Sequence, residues 1–517
     1  MVIARNPILS GFYPDPSVCR VGKDFYLVNS SFAYFPGVPI FHSKDLAHWE
    51  QIGNVLDTQE QLPLAGSEIS EGIFAPTIRY HNGIYYMITT NMGHGGNFIV
   101  MASQPQGPWS EPYYLGEEAA GIDPSLFFDT DGACYYVGTR PNPKGTRYNG
   151  DWEIWIQELD LKQMRLVGES AAIWKGALKD AVWPEGPHLY RIGEYYYLIH
   201  AEGGTGPEHS VSVARSKRLF QWFEGCPRNP VFTHRNLGRD YPVVYAGHGD
   251  LVDDENGNWY MIMLASRLCR RHSSMGRESF LAKVIWEDGW PVISAGAGRL
   301  RKNVELPFEE CRFVSEIAHH DHFHFYEEQL DCRLLGIHTR NEAQYSLKAR
   351  RGFLRLYARQ ERITEKTNAS YLGIRQKDYC FEARTALEFV PHGLESAGMV
   401  YYQNHENHLR MEIKKKRDSR ILCVTEHIHG SDHMVSETDI SQTGLVELVF
   451  RAQNQTAEIW VKSGSRTVQA AGNISLLPYT TEEAGGFVGC TIGMYASANG
   501  TADSNYADFA WLTYDEG

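Results

Sequence analysis

Short apolar runs interrupted by polar positions dominate the chain, and segments of helical periodicity are scarce. In the first three hundred residues one pattern recurs five times, a Gly followed by a paired aromatic and then apolar residues. The copies are Gly22 with Phe25-Tyr26, Gly83 with Tyr85-Tyr86, Gly132 with Tyr135-Tyr136, Gly193 with Tyr195-Tyr196 and Gly257 with Trp259-Tyr260. Each reads as a hairpin turn feeding an aromatic strand. The Gly spacings of 61, 49, 61 and 64 residues match the size of a four-stranded blade. A second echo links Ser43-Lys44-Asp45-Leu46 and Trp49 with Ser216-Lys217-Arg218-Leu219 and Trp222. These features predict an all-β fold that opens with a five-bladed β-propeller. Beyond Val304-Glu305-Leu306-Pro307-Phe308 the repeat stops, and period-2 alternation takes over in 345–349, 381–389, 409–413, 445–450 and 507–514. That style predicts antiparallel sheets in a β-sandwich. The boundary is expected near 304–320, dividing the chain into a propeller over 1–308 and a sandwich over 309–517.

Composition narrows the chemistry. At 517 residues the chain is too long for one ordinary core, in keeping with two domains. A formal charge of −14 without Lys/Arg blocks argues against nucleic-acid or anionic-membrane partners. No stretch approaches the about 20 apolar residues of a membrane span, and the N-terminus lacks a signal-peptide run. The nine cysteines are scattered with no Cys-x-x-Cys pair, which reads as free buried thiols in a reducing compartment. A cytoplasmic protein, with a homo-oligomer open, is the expectation.

The residues just ahead of the repeat glycines carry the candidate chemistry. Asp15 lies in Tyr13-Pro14-Asp15-Pro16-Ser17, Asp123 in Gly121-Ile122-Asp123-Pro124-Ser125, and Glu185 in Trp183-Pro184-Glu185-Gly186-Pro187. Phe74-Ala75-Pro76-Thr77 and Gly247-His248-Gly249-Asp250 occupy the equivalent offsets of the other two units. Asp-Pro-Ser is by itself a turn signature. Three acids at matched offsets on blades one, three and four, however, would converge at one end of a propeller channel. Glycosidic-bond hydrolysis needs two such groups, one acid for the leaving oxygen and one base or nucleophile opposite. A third anion would keep the acid protonated near neutrality. The Trp, Pro and Gly neighbours of Glu185 would desolvate it and favour it as proton donor. His248 reads either as a hydrogen-bonded structural residue or as a channel-lining contact for sugar, water or a cation. The cluster from His319 to His324 reads as solvated surface.

These motifs resemble glycoside hydrolase family 43. The resemblance rests on Gly11-Phe12-Tyr13-Pro14-Asp15-Pro16-Ser17, Phe35-Pro36-Gly37-Val38-Pro39-Ile40, Asp123-Pro124-Ser125-Leu126-Phe127, Trp183-Pro184-Glu185-Gly186-Pro187 and Gly276-Arg277-Glu278. Gly352-Phe353 and Gly486-Phe487-Val488-Gly489 extend it to the two-domain β-xylosidase branch. The resemblance implies a jelly-roll, concanavalin-like sandwich behind the propeller. It also implies an inverting, exo-acting enzyme that releases terminal β-D-xylosyl or α-L-arabinofuranosyl residues from small oligosaccharides. Carried over, Asp15 is the general base, Glu185 the general acid and Asp123 the pKa modulator. Phe32, His248 and Arg277 match sugar-contacting positions, and Phe487 matches a sandwich residue that closes the pocket. No cofactor is implied for the chemistry, although some relatives hold a structural calcium ion in the channel near the position of His248. Where related β-xylosidases carry Trp, this chain has Phe74, which leaves the choice between xylopyranose and arabinofuranose open. Two other readings stand beside this one: a retaining five-bladed fructosidase, whose Asn-Asp-Pro-Asn signature is missing, and a non-catalytic carbohydrate-binding protein.

Overall fold

In the computed structural model, described for residues 1–238, 240–309, 320–341, 343–441, 443–502 and 504–517, nearly every regular element is a strand. Among the described residues there is one four-residue α-helix, Thr481–Ala484, and no helix is long and apolar enough to cross a membrane.

Five antiparallel sheets built from residues up to 293 form the propeller. Blade one uses Ser17–Val21, Asp24–Val28, Gly37–Ser43 and Glu50–Leu56. The first strands of the other blades are Thr77–His81, Ile122–Phe128, Glu185–Ile192 and Val243–Asp253. The repeat glycines sit in the turns that leave these strands, all with positive φ; at Gly83, for example, φ is 85° and Asn82 beside it is also left-handed. That geometry suits a tight hairpin and explains why Gly recurs there. The paired aromatics then enter second strands whose apolar sides fill the spaces between blades. Tyr86 packs with Leu126 and Tyr136, and Tyr197 packs with Leu251 and Met261.

The ring is clasped by a feature with no repeat signature. Val2–Arg5 pairs antiparallel with Asn303–Leu306, and the Asn6 amide exchanges two 2.8 Å hydrogen bonds with the Leu281 backbone. The sandwich begins, among the described residues, with His320–His324 and contains two antiparallel sheets around one apolar core. The expected boundary at 308/309 abuts residues 310–319, which lie outside those described.

Gly336–Ile337 pairs with Tyr34–Phe35 of the propeller, so a two-stranded ribbon joins the domains. Around it Tyr371, Val400, Tyr402 and Tyr495 of the sandwich share a single buried cluster with Phe12, Phe32 and Tyr34. The two domains therefore meet through core-like packing.

The histidine cluster needs correction. Its strand alternates, so Asp321 is buried between Arg333 and Lys377 and Phe323 is buried, while His322 faces outward. His319 lies outside the described residues. Of the eight described cysteines all are free; five are buried and three partly exposed.

Candidate active site

In blades one, three, four and five a distortion at or near the start of the first strand aims side chains into the channel. Asp15, Asp123 and His248 have φ of 51°, 51° and 48°, a left-handed conformation that side-chain-bearing residues seldom adopt. At blade four the positive φ falls on Gly186, just after Glu185. Register shifts accompany the turn at Ile122/Ser125, Glu185/His188 and Gly247/Gly249. Such bulges re-aim a side chain at a small cost in strain, and they cluster at functional sites.

All five equivalent residues, Asp15, Phe74, Asp123, Glu185 and His248, meet in one cavity of about 380 Å³, which Phe32, Arg277 and Phe487 also line. The second unit contributes Phe74 and the fifth His248, so all eight residues singled out from the sequence come together. The volume is at the lower end of the about 300–1,000 Å³ range of ligand pockets.

Each carboxyl has its own electrostatic setting. Asp15 is buried, and burial alone would raise its pKa. The Arg277 guanidinium, donating from Nη1 to Oδ1 at 2.7 Å, outweighs this together with His248 and the Ser30 hydroxyl, and holds the carboxyl below its ordinary value. Asp15 is thus held ionised with both oxygens engaged. Asp123 is pushed up to about 6 by burial and by the Asp15 charge, against the pull of His248 and of the Gly186 N–H, which donates to Oδ2 at 3.1 Å. Glu185 is raised well above its ordinary value, first by burial and then by Asp123 and Asp15, with Arg277 opposing. It keeps an exposed edge toward the cavity it lines. Asp123 has a backbone donor to stabilise its charge, so Glu185 is the member of the pair that retains its proton.

His248 lies between the two sides. Its Nδ1 is 3.8 Å from Asp15 Oδ1, and its ring lies flat on Gly186, where an added Cβ would come within 2.8 Å of the ring. Gly186 is needed for that approach as well as for its φ. Below the cavity, Asp250 receives Arg79 at 2.9 Å, and Arg79 also reaches His188 Nδ1 at 3.1 Å. Burial pushes His188 down to about 3, so it stays neutral beside this ion pair. These groups plug the channel. They also bear on a cation: Asp15 and Asp250 are already paired with Arg277 and Arg79, and no three His, Cys, Asp or Glu side chains converge as a metal-holding set among the described residues. No step below uses a cation at His248.

The wall opposite the acids is aromatic. Phe32 stacks on Phe487 at 6.0 Å between centroids, and Phe74 meets both rings, at 5.3 Å and 6.3 Å. Arg277 lies over Phe32 and Phe487 at 5.6 and 5.8 Å. Phe487 comes from the sandwich and is 42% exposed, which places it at the rim. Its loop is fixed by the Ser70 hydroxyl, which accepts from Phe487 N at 2.9 Å. It also depends on a glycine-to-glycine approach: a Cβ on Gly489 would sit 2.4 Å from the Met275 carbonyl.

Some lining residues escaped the sequence reading, among them Met92, Trp152 and Thr205, and with them the role of Ser30. Ser30, Met92 and Thr205 stand at or just past the ends of the second strands of blades one, two and four. Following the repeat ten residues further would have reached them. Trp152 follows an irregular loop and carries no such signal.

Comparison with known proteins agrees with this two-domain architecture. The model for glycosyl hydrolases family 43 matches residues 4–291, and that for the beta xylosidase C-terminal concanavalin A-like domain matches residues 322–515. A xylosidase/arabinosidase of Butyrivibrio fibrisolvens is 63% identical over the full length of both chains. A non-reducing end alpha-L-arabinofuranosidase of Bacteroides ovatus is 36% identical, covering 99% of this chain and 94% of its own. The crystal structure of a xylan beta-1,4-xylosidase from Bacillus halodurans superposes with a TM-score of 0.92 at 32% identity, covering 99% of this chain and all of its own.

Proposed function

As a member of glycosyl hydrolase family 43, to which this chain belongs, the protein is a glycosidase, and we propose that it removes terminal β-D-xylosyl and α-L-arabinofuranosyl residues with inversion. The observation that carries the reading is the unequal setting of the carboxyls: one held ionised by Arg277 and Ser30, another held protonated beside Asp123. A neutral sugar suits the aromatic wall, and the plugged channel leaves a dead-end pocket, which favours exo attack at a chain terminus. The names of the relatives support both sugars as substrates.

In the proposed reaction the terminal sugar enters against Phe32, Phe74 and Phe487. Asp15 takes a proton from a water whose oxygen forms the new bond to the anomeric carbon. Glu185 gives its proton to the departing glycosidic oxygen as that bond breaks. The cycle closes when Asp15 returns its proton to solvent and Glu185 regains one. Arg277 keeps Asp15 ionised, and His248 fills the space between the base and the Gly186 peptide that follows the acid.

Rates on nitrophenyl β-D-xyloside and nitrophenyl α-L-arabinofuranoside, measured side by side with the same enzyme, test the substrate reading. Both should be cleaved, with each sugar inhibiting cleavage of the other competitively because one pocket serves both. Turnover of one with no trace of the other would overturn the dual assignment.

The role of Asp123 has its own signature. Above about pH 6 it is charged, and that charge raises the pKa of Glu185. Asp123→Asn removes the charge, so Glu185 should lose its proton at lower pH. The alkaline limb of kcat/KM is expected to move down by roughly one pH unit. A limb that stays in place or moves up would remove Asp123 from this role.

A further inference from the structure

Arg375 closes the strand Ser370–Arg375 at the junction of the domains and is 2% exposed. Its guanidinium plane is covered by the Tyr13 ring, 4.4 Å from the centroid. Its Nε and Nη2 are buried and meet no hydrogen-bond acceptor. The other buried arginines among the described residues are provided for. Arg277 has Asp15, Arg410 has Asp432, and Arg420 has the carbonyls of Phe389 and Ser441. Arg375 alone among these four has none.

A buried charge without a counter-charge is costly, and orphaned donors add to that cost. Water could accept the two hydrogen bonds but would leave the charge uncompensated. The two orphaned N–H groups share one edge of the guanidinium, the fork by which arginine takes a planar carboxylate or a single halide from the side. Burial pushes the Tyr34 phenol up, while its contact with Thr491 and the Arg375 charge pull the other way, which places Arg375 close to this buried hydroxyl. The Nε–Nη2 edge of Arg375 thus awaits an acceptor.

We propose that the Nε–Nη2 edge of Arg375 binds a small monovalent anion, a halide or a short carboxylate, between the propeller and the sandwich. The position gives such an anion leverage on the pocket. Tyr13 is two residues before Asp15, and Arg375 pairs in register with Thr491, the first residue of the strand that follows the Phe487 loop. The anion would therefore brace both the wall that carries Asp15 and the loop that carries Phe487.

Crystals of the full chain grown with bromide in place of chloride test this directly. An anomalous peak at the Nε–Nη2 edge is expected. In parallel, melting of the unsubstituted chain and of Arg375→Met is followed while chloride, acetate or gluconate is titrated at constant ionic strength; the long polyhydroxy chain of gluconate excludes it from a buried edge. Chloride or acetate should raise the Tm of the unsubstituted chain saturably, by about 2 °C or more over gluconate, and Arg375→Met should lose that increment. Protection by chloride with bromide density assigns a halide; protection by acetate without bromide density assigns a carboxylate. A Tm indifferent to the anion together with an edge free of bromide, or the same increment in Arg375→Met, would overturn the proposal. Should Arg375→Met fail to fold, the bromide map and the anion series on the unsubstituted chain still decide.

Discussion

Glu185→Ala is expected to cut kcat/KM on unactivated xylo-oligosaccharides by about 10³- to 10⁴-fold, the upper part of what general acid catalysis supplies. Glu185 is the carboxyl whose proton is held on by burial and by two neighbouring anions, so the variant loses the protonated carboxyl of the pocket. The loss should depend on the substrate. A dinitrophenyl glycoside leaves as a weak base and needs little protonation, so its rate should fall by less than about tenfold. The alkaline limb of the pH profile should vanish with the residue that titrates there. Equal losses on both kinds of substrate would move the acid role elsewhere.

Asp15→Ala should behave in the opposite way. The base acts on water, whose activation is needed whatever leaves, so oligosaccharide and activated aryl glycoside should both lose about 10³- to 10⁴-fold. A secondary effect follows from the ion pair. Without Asp15 the Arg277 guanidinium keeps a charge whose 2.7 Å partner is gone, and it faces the pocket beside Phe32 and Phe487. Stability should fall too, because breaking a buried pair leaves its partner uncompensated, at a cost of about 3–5 kcal/mol. Exogenous azide or formate can occupy the space of the lost carboxylate and restore part of the rate. A variant that spares activated substrates would contradict the base assignment.

How far the site could be read from the chain alone follows from where its residues lie. Asp15, Phe74, Asp123, Glu185 and His248 occupy matching positions of a repeat, and rotation about the propeller axis turns a matched offset into a shared cavity. The repeat glycines were legible for a similar reason, because a positive φ in a tight turn restricts the residue type. Contacts across long separations leave no such trace. Ser70 fixes Phe487 from 417 residues away, and Gly489 must be glycine because of a carbonyl at Met275. The ribbon of Gly336–Ile337 with Tyr34–Phe35 is too short to show periodicity. The pairing of Asp250 with Arg79 also required the assembled channel. The misreading of Asp321 has a local cause: one buried acid among histidines looks like surface until its partners Arg333 and Lys377 are brought to it.

The central claim is that Asp15 activates water instead of attacking carbon, and stereochemistry tests it most directly. An inverting pair leaves about 6.5–9.5 Å between carboxyls for the water, against about 5–5.5 Å for a retaining pair. Asp15 and Glu185 stand on non-adjacent blades with the His248 ring between Asp15 and the Gly186 peptide, an arrangement that favours the wider gap. Proton NMR of hydrolysis of a β-xyloside, recorded before mutarotation, reads the outcome in the anomeric region. The account predicts that α-xylose accumulates first and β-xylose grows in only as the anomers equilibrate. β-Xylose as the first product would contradict it and make Asp15 a nucleophile.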